Sequence, residues 1–173
     1  MSYGSKAFGL REVVLEDVGG GNEVELPVAQ TLMFSERVVS GELAGGDAVA
    51  ALVSYPDALE WSLEAGGIPL AAWAKMTGRT AVESGTTPNR TTTYTAKAAH
   101  CYPYFQAKGR AISDDCDSDA VVTLLKIKLT EAPNGQFQNG EFFVTAAAGT
   151  GMKNDDGDLY TLELRETGAS IVS

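Results

Sequence analysis

The chain has 173 residues, with 13 Lys+Arg against 23 Asp+Glu and a formal net charge of −10. Hydrophobic residues at 44% and charged residues at 21% are globular proportions, which argue against wholesale disorder and against a coiled coil. The acidic balance argues against a protein that grips phosphates or anionic membranes, though not against one that DNA passes without sticking.

Taken in order, the opening residues 1–11 hold no apolar segment of the signal-peptide kind, so no leader is expected. The length predicts a single domain over 1–173, with 1–10 as an N-terminal arm and 166–173 as a C-terminal tail. Period-two alternation or β-branched enrichment predicts strands at 12–17, 30–40, 48–54, 59–64, 90–98, 104–111, 120–130, 141–147 and 159–165. The cleanest is 59–64, where Leu59, Trp61 and Leu63 face inward while Glu60, Ser62 and Glu64 face out. Turn chemistry falls between these runs, at Gly45-Gly46-Asp47, Pro133-Asn134-Gly135, Asn139-Gly140 and Asp156-Gly157 among others.

One helix interrupts the pattern near 69–77, with Pro69 at its start and Gly78 as its C-cap. Leu70, Trp73, Ala74 and Thr77 recur at i, i+3, i+4 and i+7, a stripe that would dock on a sheet. The expected fold class is therefore mostly β: two packed antiparallel β-sheets, sandwich- or barrel-like, flanked by one short α-helix. Leu59, Trp61, Leu63, Leu70 and Trp73 are its expected core anchors. No apolar run, 48–53 included, is long enough to span a bilayer.

Nothing in the sequence has the spacing of an active site. His100 is followed by Cys101, but an extended backbone there would turn the two side chains to opposite faces and prevent a nucleophile–base pair. Two free thiols are the expectation for Cys101 and Cys116, with a bridge across a hairpin as the alternative. The acids at 114–119 lack the glycine and the closing glutamate of a calcium loop. Taking Met152 as position 1 sets Asn154, Asp156, Gly157 and Glu163 correctly, yet methionine offers no oxygen; a solvated turn is the simpler reading. Gly19-Gly20-Gly21 and Gly149-Thr150-Gly151 match no phosphate-binding fingerprint. No catalytic residue, metal or cofactor is expected.

Four stretches carry a resemblance: LPVAQTLMFSE at 26–36, LEWSLEAGGIPLAAWAKMTGR at 59–79, PYFQAKGR at 103–110 and GEFFV at 140–144. Together they resemble the major tail (tail tube) proteins of long-tailed, non-contractile bacteriophages over roughly residues 10–150. That resemblance implies homohexameric rings stacked into a tube in the virion, assembled in the host bacterial cytoplasm. It also implies a tape-measure protein in the lumen, tail terminator and distal tail proteins at the ends, and double-stranded DNA in passing. Ring-on-ring contacts would fall to 1–10, the 41–54 loop and the tail. Under this reading Glu36, Glu42, Asp47, Glu60 and Glu64 are the candidate lumen-facing acids, repelling DNA phosphates over about 8 Å. Two alternatives stand beside it. One is a monomeric β-sandwich binding module presenting Trp73 or the acidic loops to a carbohydrate or calcium. The other is a tube or connector component of another phage or contractile injection system.

Overall fold

The computed structural model describes residues 5–173. Ten strands and one helix follow in the order β1 (Ala7–Glu16), β2 (Val24–Glu25), β3 (Ala29–Gly45), β4 (Ala48–Gly66), α1 (Leu70–Thr77), β5 (Ala81–Ser84), β6 (Thr91–Tyr94), β7 (Phe105–Ser113), β8 (Asp119–Asn134), β9 (Val144–Gly151) and β10 (Tyr160–Arg165). The expected class holds: mostly β, antiparallel sheets, one short helix. The large sheet has eight strands in the order β2-β1-β7-β8-β9-β4-β3, with β10 joined to β8; β5 and β6 form a separate ribbon.

The two packed layers are two halves of that one sheet, and β8 belongs to both. Its first part pairs β7 on one side and β10 on the other, through Asp119 to Leu124. Its second part, from Ile127, pairs β9 instead. Strand β9 then leads through β4 to β3. Folding the sheet at β8 brings Val13 and Leu15 of β1 and Phe105 and Ala107 of β7 against Leu59, Trp61 and Leu63 of β4. The Trp61 and Phe105 rings cross the interface edge to face, 5.5 Å apart at 89°.

Leu59, Trp61 and Leu63 are buried at 0%, 3% and 2% exposure, as their alternation requires. Helix α1 packs on this core through Ala72 and Met76. Its buried set is Ala72, Met76 and Thr77, with Leu70 and Trp73 half-buried, so the helix is rotated relative to the expected stripe. The cause lies in Trp73, whose Nε1–H donates to Thr145 Oγ1 at 3.1 Å while its ring meets Tyr94 edge on. Met76 fills the inward position instead. Pro69 precedes the helix at its N-cap, and Gly78 ends it at φ 68°, ψ 24°, the left-handed C-cap that glycine adopts without strain.

Several expected boundaries shift. The separate strands at 48–54 and 59–64 are one strand, β4, because Pro56 sits at a register irregularity and does not interrupt pairing. The strand expected at 141–147 begins at Val144. Residues 7–10 of the expected N-terminal arm lie within β1, paired with β7; residues 1–4 of that arm lie outside the described residues. The segment around His100 is not extended: 98–99 form a turn in which Ala99 takes φ 57°. Cys101 and Cys116 are both exposed and unbridged.

Candidate functional site

The feature that no core explains is the far end of the β3–β4 pair. Residues 35–57 are exposed throughout, so the two strands leave the body as a two-stranded arm closed by a turn at Gly46-Asp47. Eight residues per strand beyond the body reach about 25 Å. The pairing continues to the tip, with Val39 opposite Tyr55, Gly41 opposite Val53 and Leu43 opposite Ala51. Paired residues share a face, so one side of the arm is wholly apolar. The other side carries Ser40, Ser54, Glu42 and Leu52. Leu43 and Leu52 keep 64% and 67% of their surface exposed, so nothing among the described residues covers either side.

At the root of the arm Arg37 and Asp57 are joined by two hydrogen bonds, Nε to Oδ1 at 3.0 Å and Nη2 to Oδ2 at 2.8 Å. Arg37's hydrogen bonds and charge hold the Asp57 carboxyl below its usual range, against a smaller opposing effect of burial. Beside it Glu36 accepts a hydrogen bond from Tyr160 Oη at 3.0 Å, tying β3 to β10 across the fold. That bond, with burial and the Glu36 charge, raises the Tyr160 phenol. The neighbouring Phe34 and Tyr160 rings lie 5.1 Å apart.

The same region holds unpaired sheet edges. Among the described residues β3 pairs only with β4, and β10 only with β8. Leu162 and Leu164 on β10 are exposed as well. Open edges with apolar side chains invite pairing with another chain. An apolar cleft of about 380 Å³ lies between them, walled by Leu10, Leu32, Phe34, Val122 and Leu162.

The five acids singled out from the sequence do not share one face. Glu60 and Glu64 stand exposed on the outward side of β4, alternating with the buried Leu59, Trp61 and Leu63. Glu36 pairs with Leu59 and so lies on the opposite side of the sheet, at its margin. Glu42 is midway along the arm and Asp47 at its tip. The clustered acids of the loops are engaged locally. Asp115 accepts from Asp117 N, Ser118 N and Ser118 Oγ at 3.1, 2.9 and 2.8 Å. Asn154 Oδ1 accepts from Asp156 N and Asp158 N. No group of three or more metal-ligating side chains gathers among the described residues.

Sequence reasoning missed a second network, which fastens the C-terminal segment. Asp119, fully buried, accepts from Arg110 Nε at 2.6 Å, Arg165 Nε at 2.8 Å and Ala169 N at 3.0 Å. Burial pushes its carboxyl up, but the hydrogen bonds from Arg110 and Ala169 and the two guanidinium charges outweigh it and hold the group below its usual value. Glu12 accepts from Arg110 Nη1 at 3.0 Å and from Ile171 N at 2.8 Å. Glu23 accepts from Ser173 N at 3.1 Å and from its hydroxyl, which lower the Glu23 carboxyl. Alternate backbone N–H groups of 169–173 are thus met by three carboxylates from three parts of the fold. No local spacing in the sequence signals this.

Compared with known proteins, the chain matches no family model and no curated protein. Its class rests on architecture: a mostly β domain of antiparallel sheets with one short helix and a projecting two-stranded arm.

Proposed function

We propose that this protein is a structural subunit that assembles with copies of itself, forming hexameric rings that stack into the tail tube of a long-tailed, non-contractile bacteriophage. The observation that carries the self-assembly is the arm. A face of Val39, Leu43, Ala51, Val53 and Tyr55, held out in water on a fully paired ribbon, lowers its free energy only when another surface covers it. The open edges of β3 and β10 supply the lateral counterpart, since an edge is satisfied by a neighbour's strand. Cyclic closure ends sideways growth, whereas a head-to-tail contact along the axis does not close.

The resemblance of 26–36, 59–79, 103–110 and 140–144 to tail tube proteins supplies the identity of the assembly. In this reading the protein does no bond-making chemistry. Its partners are its own copies, a tape-measure protein within the tube, terminator and distal tail proteins at the ends, and DNA that passes unbound. Glu60 and Glu64, exposed on the outward face of β4, suit a wall that repels phosphates, although Arg37 of β3 stands beside Glu60 on that face.

Sedimentation velocity and negative-stain microscopy over a concentration series test the proposal. Rings, and tubes at higher concentration, are the expected result. A chain that stays monomeric at every concentration overturns it.

A further inference from the structure

We infer that a cationic cavity at the end of α1 receives the acidic arm tip of a second copy; this rests on the assembly reading above. The cavity, about 590 Å³, is lined by Arg79, Lys97 and His100 with the hydroxyls of Thr80, Thr93 and Thr95. Arg79 is clamped in place. Its guanidinium lies 5.9 Å from the Tyr94 ring centre and 5.8 Å from that of Tyr102. Nη1 donates to Tyr94 Oη at 2.8 Å and Nη2 to the Lys97 carbonyl at 2.6 Å, while Nε is buried without an acceptor.

Every hydrogen-bond partner of that guanidinium is neutral. No carboxylate lines the cavity, and among the described residues Arg79, Lys97 and His100 enter no ion pair. In a chain of net charge −10, uncompensated positive charge gathered in a concavity is a receptor for an anionic group.

The arm offers the complement. Residues 38–56 contain two acids, Glu42 and Asp47, and no lysine or arginine. The tip, Gly45-Gly46-Asp47-Ala48, is slender because three of its four side chains are hydrogen or methyl, and its carboxylate is exposed. Strand β4 begins in the arm and ends by leading into α1, so ligand and receptor stem from opposite ends of one strand. A contact of this kind is heterologous and propagates from copy to copy, which is what axial growth needs.

The test is a charge exchange on two exposed side chains, Asp47→Lys and Lys97→Glu, in the full chain. Each single variant is expected to fold with an unchanged melting temperature and to lose polymer mass at least tenfold by sedimentation. The double variant, in which every contact is a swapped pair, is expected to recover to within about twofold of wild type. If both singles polymerise like wild type, or the double fails to recover, this contact is overturned while assembly stands. If the wild-type chain itself stays monomeric, the assembly reading falls and this contact with it.

Discussion

Arg37 and Asp57 meet in a bidentate pair at the point where the β3–β4 sheet changes the character of its faces. On the body side of the pair, the outward face is mostly polar, carrying Ser35, Glu60, Ser62 and Glu64 with the exposed Met33 among them. Beyond it, the same side of β3 continues into Val39, Gly41 and Leu43, the apolar face of the arm. Asp57 is the residue skipped in the register between Arg37–Ala58 and Val38–Pro56, so the irregularity aims its carboxylate at the guanidinium. The pair bridges the two strands at the point where the ribbon leaves the domain.

Removing the pair should therefore loosen the arm more than the domain. Asp57→Asn is expected to leave the melting temperature nearly unchanged, because an exposed pair adds little to global stability. It is expected to speed hydrogen exchange of amides 38–55 several-fold. Because Arg37 depresses the Asp57 carboxyl, the wild-type protection is fully present above the ordinary aspartate value of 3.8 and fades as pH falls through the lowered one. Wild type and variant should then exchange alike in acid. Equal exchange at neutral pH would show that the pair does not set the arm.

The clasp at Asp119 makes the opposite prediction, a large effect on the whole domain. Asp119→Ala leaves Arg110 and Arg165 without their shared buried acceptor and frees Ala169 N–H. Breaking a buried pair on one side costs about 3 kcal/mol, read as a lower urea midpoint at constant slope. Acid should act on the same segment. Both Asp119 and Glu23 are depressed, so their hold on Ala169 and Ser173 is complete above the ordinary values of 3.8 and 4.5 and is lost as pH falls through the lowered ones. Exchange at Ala169 and Ser173 should rise together in that window. Protection of these amides that persists at pH 2 would remove the clasp.

Close packing sets a third expectation, at Gly149 of β9. The strand pairs there with both Trp61 and Leu129, and a Cβ on this residue would stand 1.9 Å from the Lys128 carbonyl oxygen and 2.9 Å from Trp61 Nε1. The first obstacle is backbone in a paired strand and cannot swing aside. Gly149→Ala is expected to cost about 3 kcal/mol and to shift the Trp61 fluorescence, as overpacking moves the indole. An unchanged urea midpoint would mean that β8 and β9 yield more easily than their pairing implies.

Much of this architecture was legible in the residues, and its gaps have physical causes. The alternation of Leu59, Trp61 and Leu63 against Glu60 and Glu64 reads directly, because one face is core and the other water. The same rule fails for 38–56: an apolar side awaiting a partner has the periodicity of a buried one, so the residues read as strands at 30–40 and 48–54 with a loop over 41–54, whereas β3 and β4 stay paired out to Gly45 and Ala48. Strand β2, two residues long, and β5, exposed along most of its length, leave no periodic trace. The Glu12–Arg110–Asp119–Arg165 network bonds residues as far as 98 positions apart directly, and only the pairing of β1, β7, β8 and β10 brings them together. The five acids illustrate both cases: the alternation places Glu60 and Glu64 on one face, but it does not show that Glu42 and Asp47 lie on a projecting ribbon.

If the arm exists for a neighbour, the domain should survive without it. Replacing 38–56 by a short Asn-Gly turn removes Val39, Leu43, Val49, Leu52, Val53 and Tyr55, none of them among the buried core residues. The truncated chain is expected to melt within a few degrees of wild type and to be more soluble, since apolar surface leaves and no cavity forms. It is expected to stop at single rings or monomers where the full chain forms tubes. Tubes of ordinary length from the truncated chain would place axial contacts elsewhere, whereas a collapse in melting temperature would show that the arm contributes to the domain's own stability.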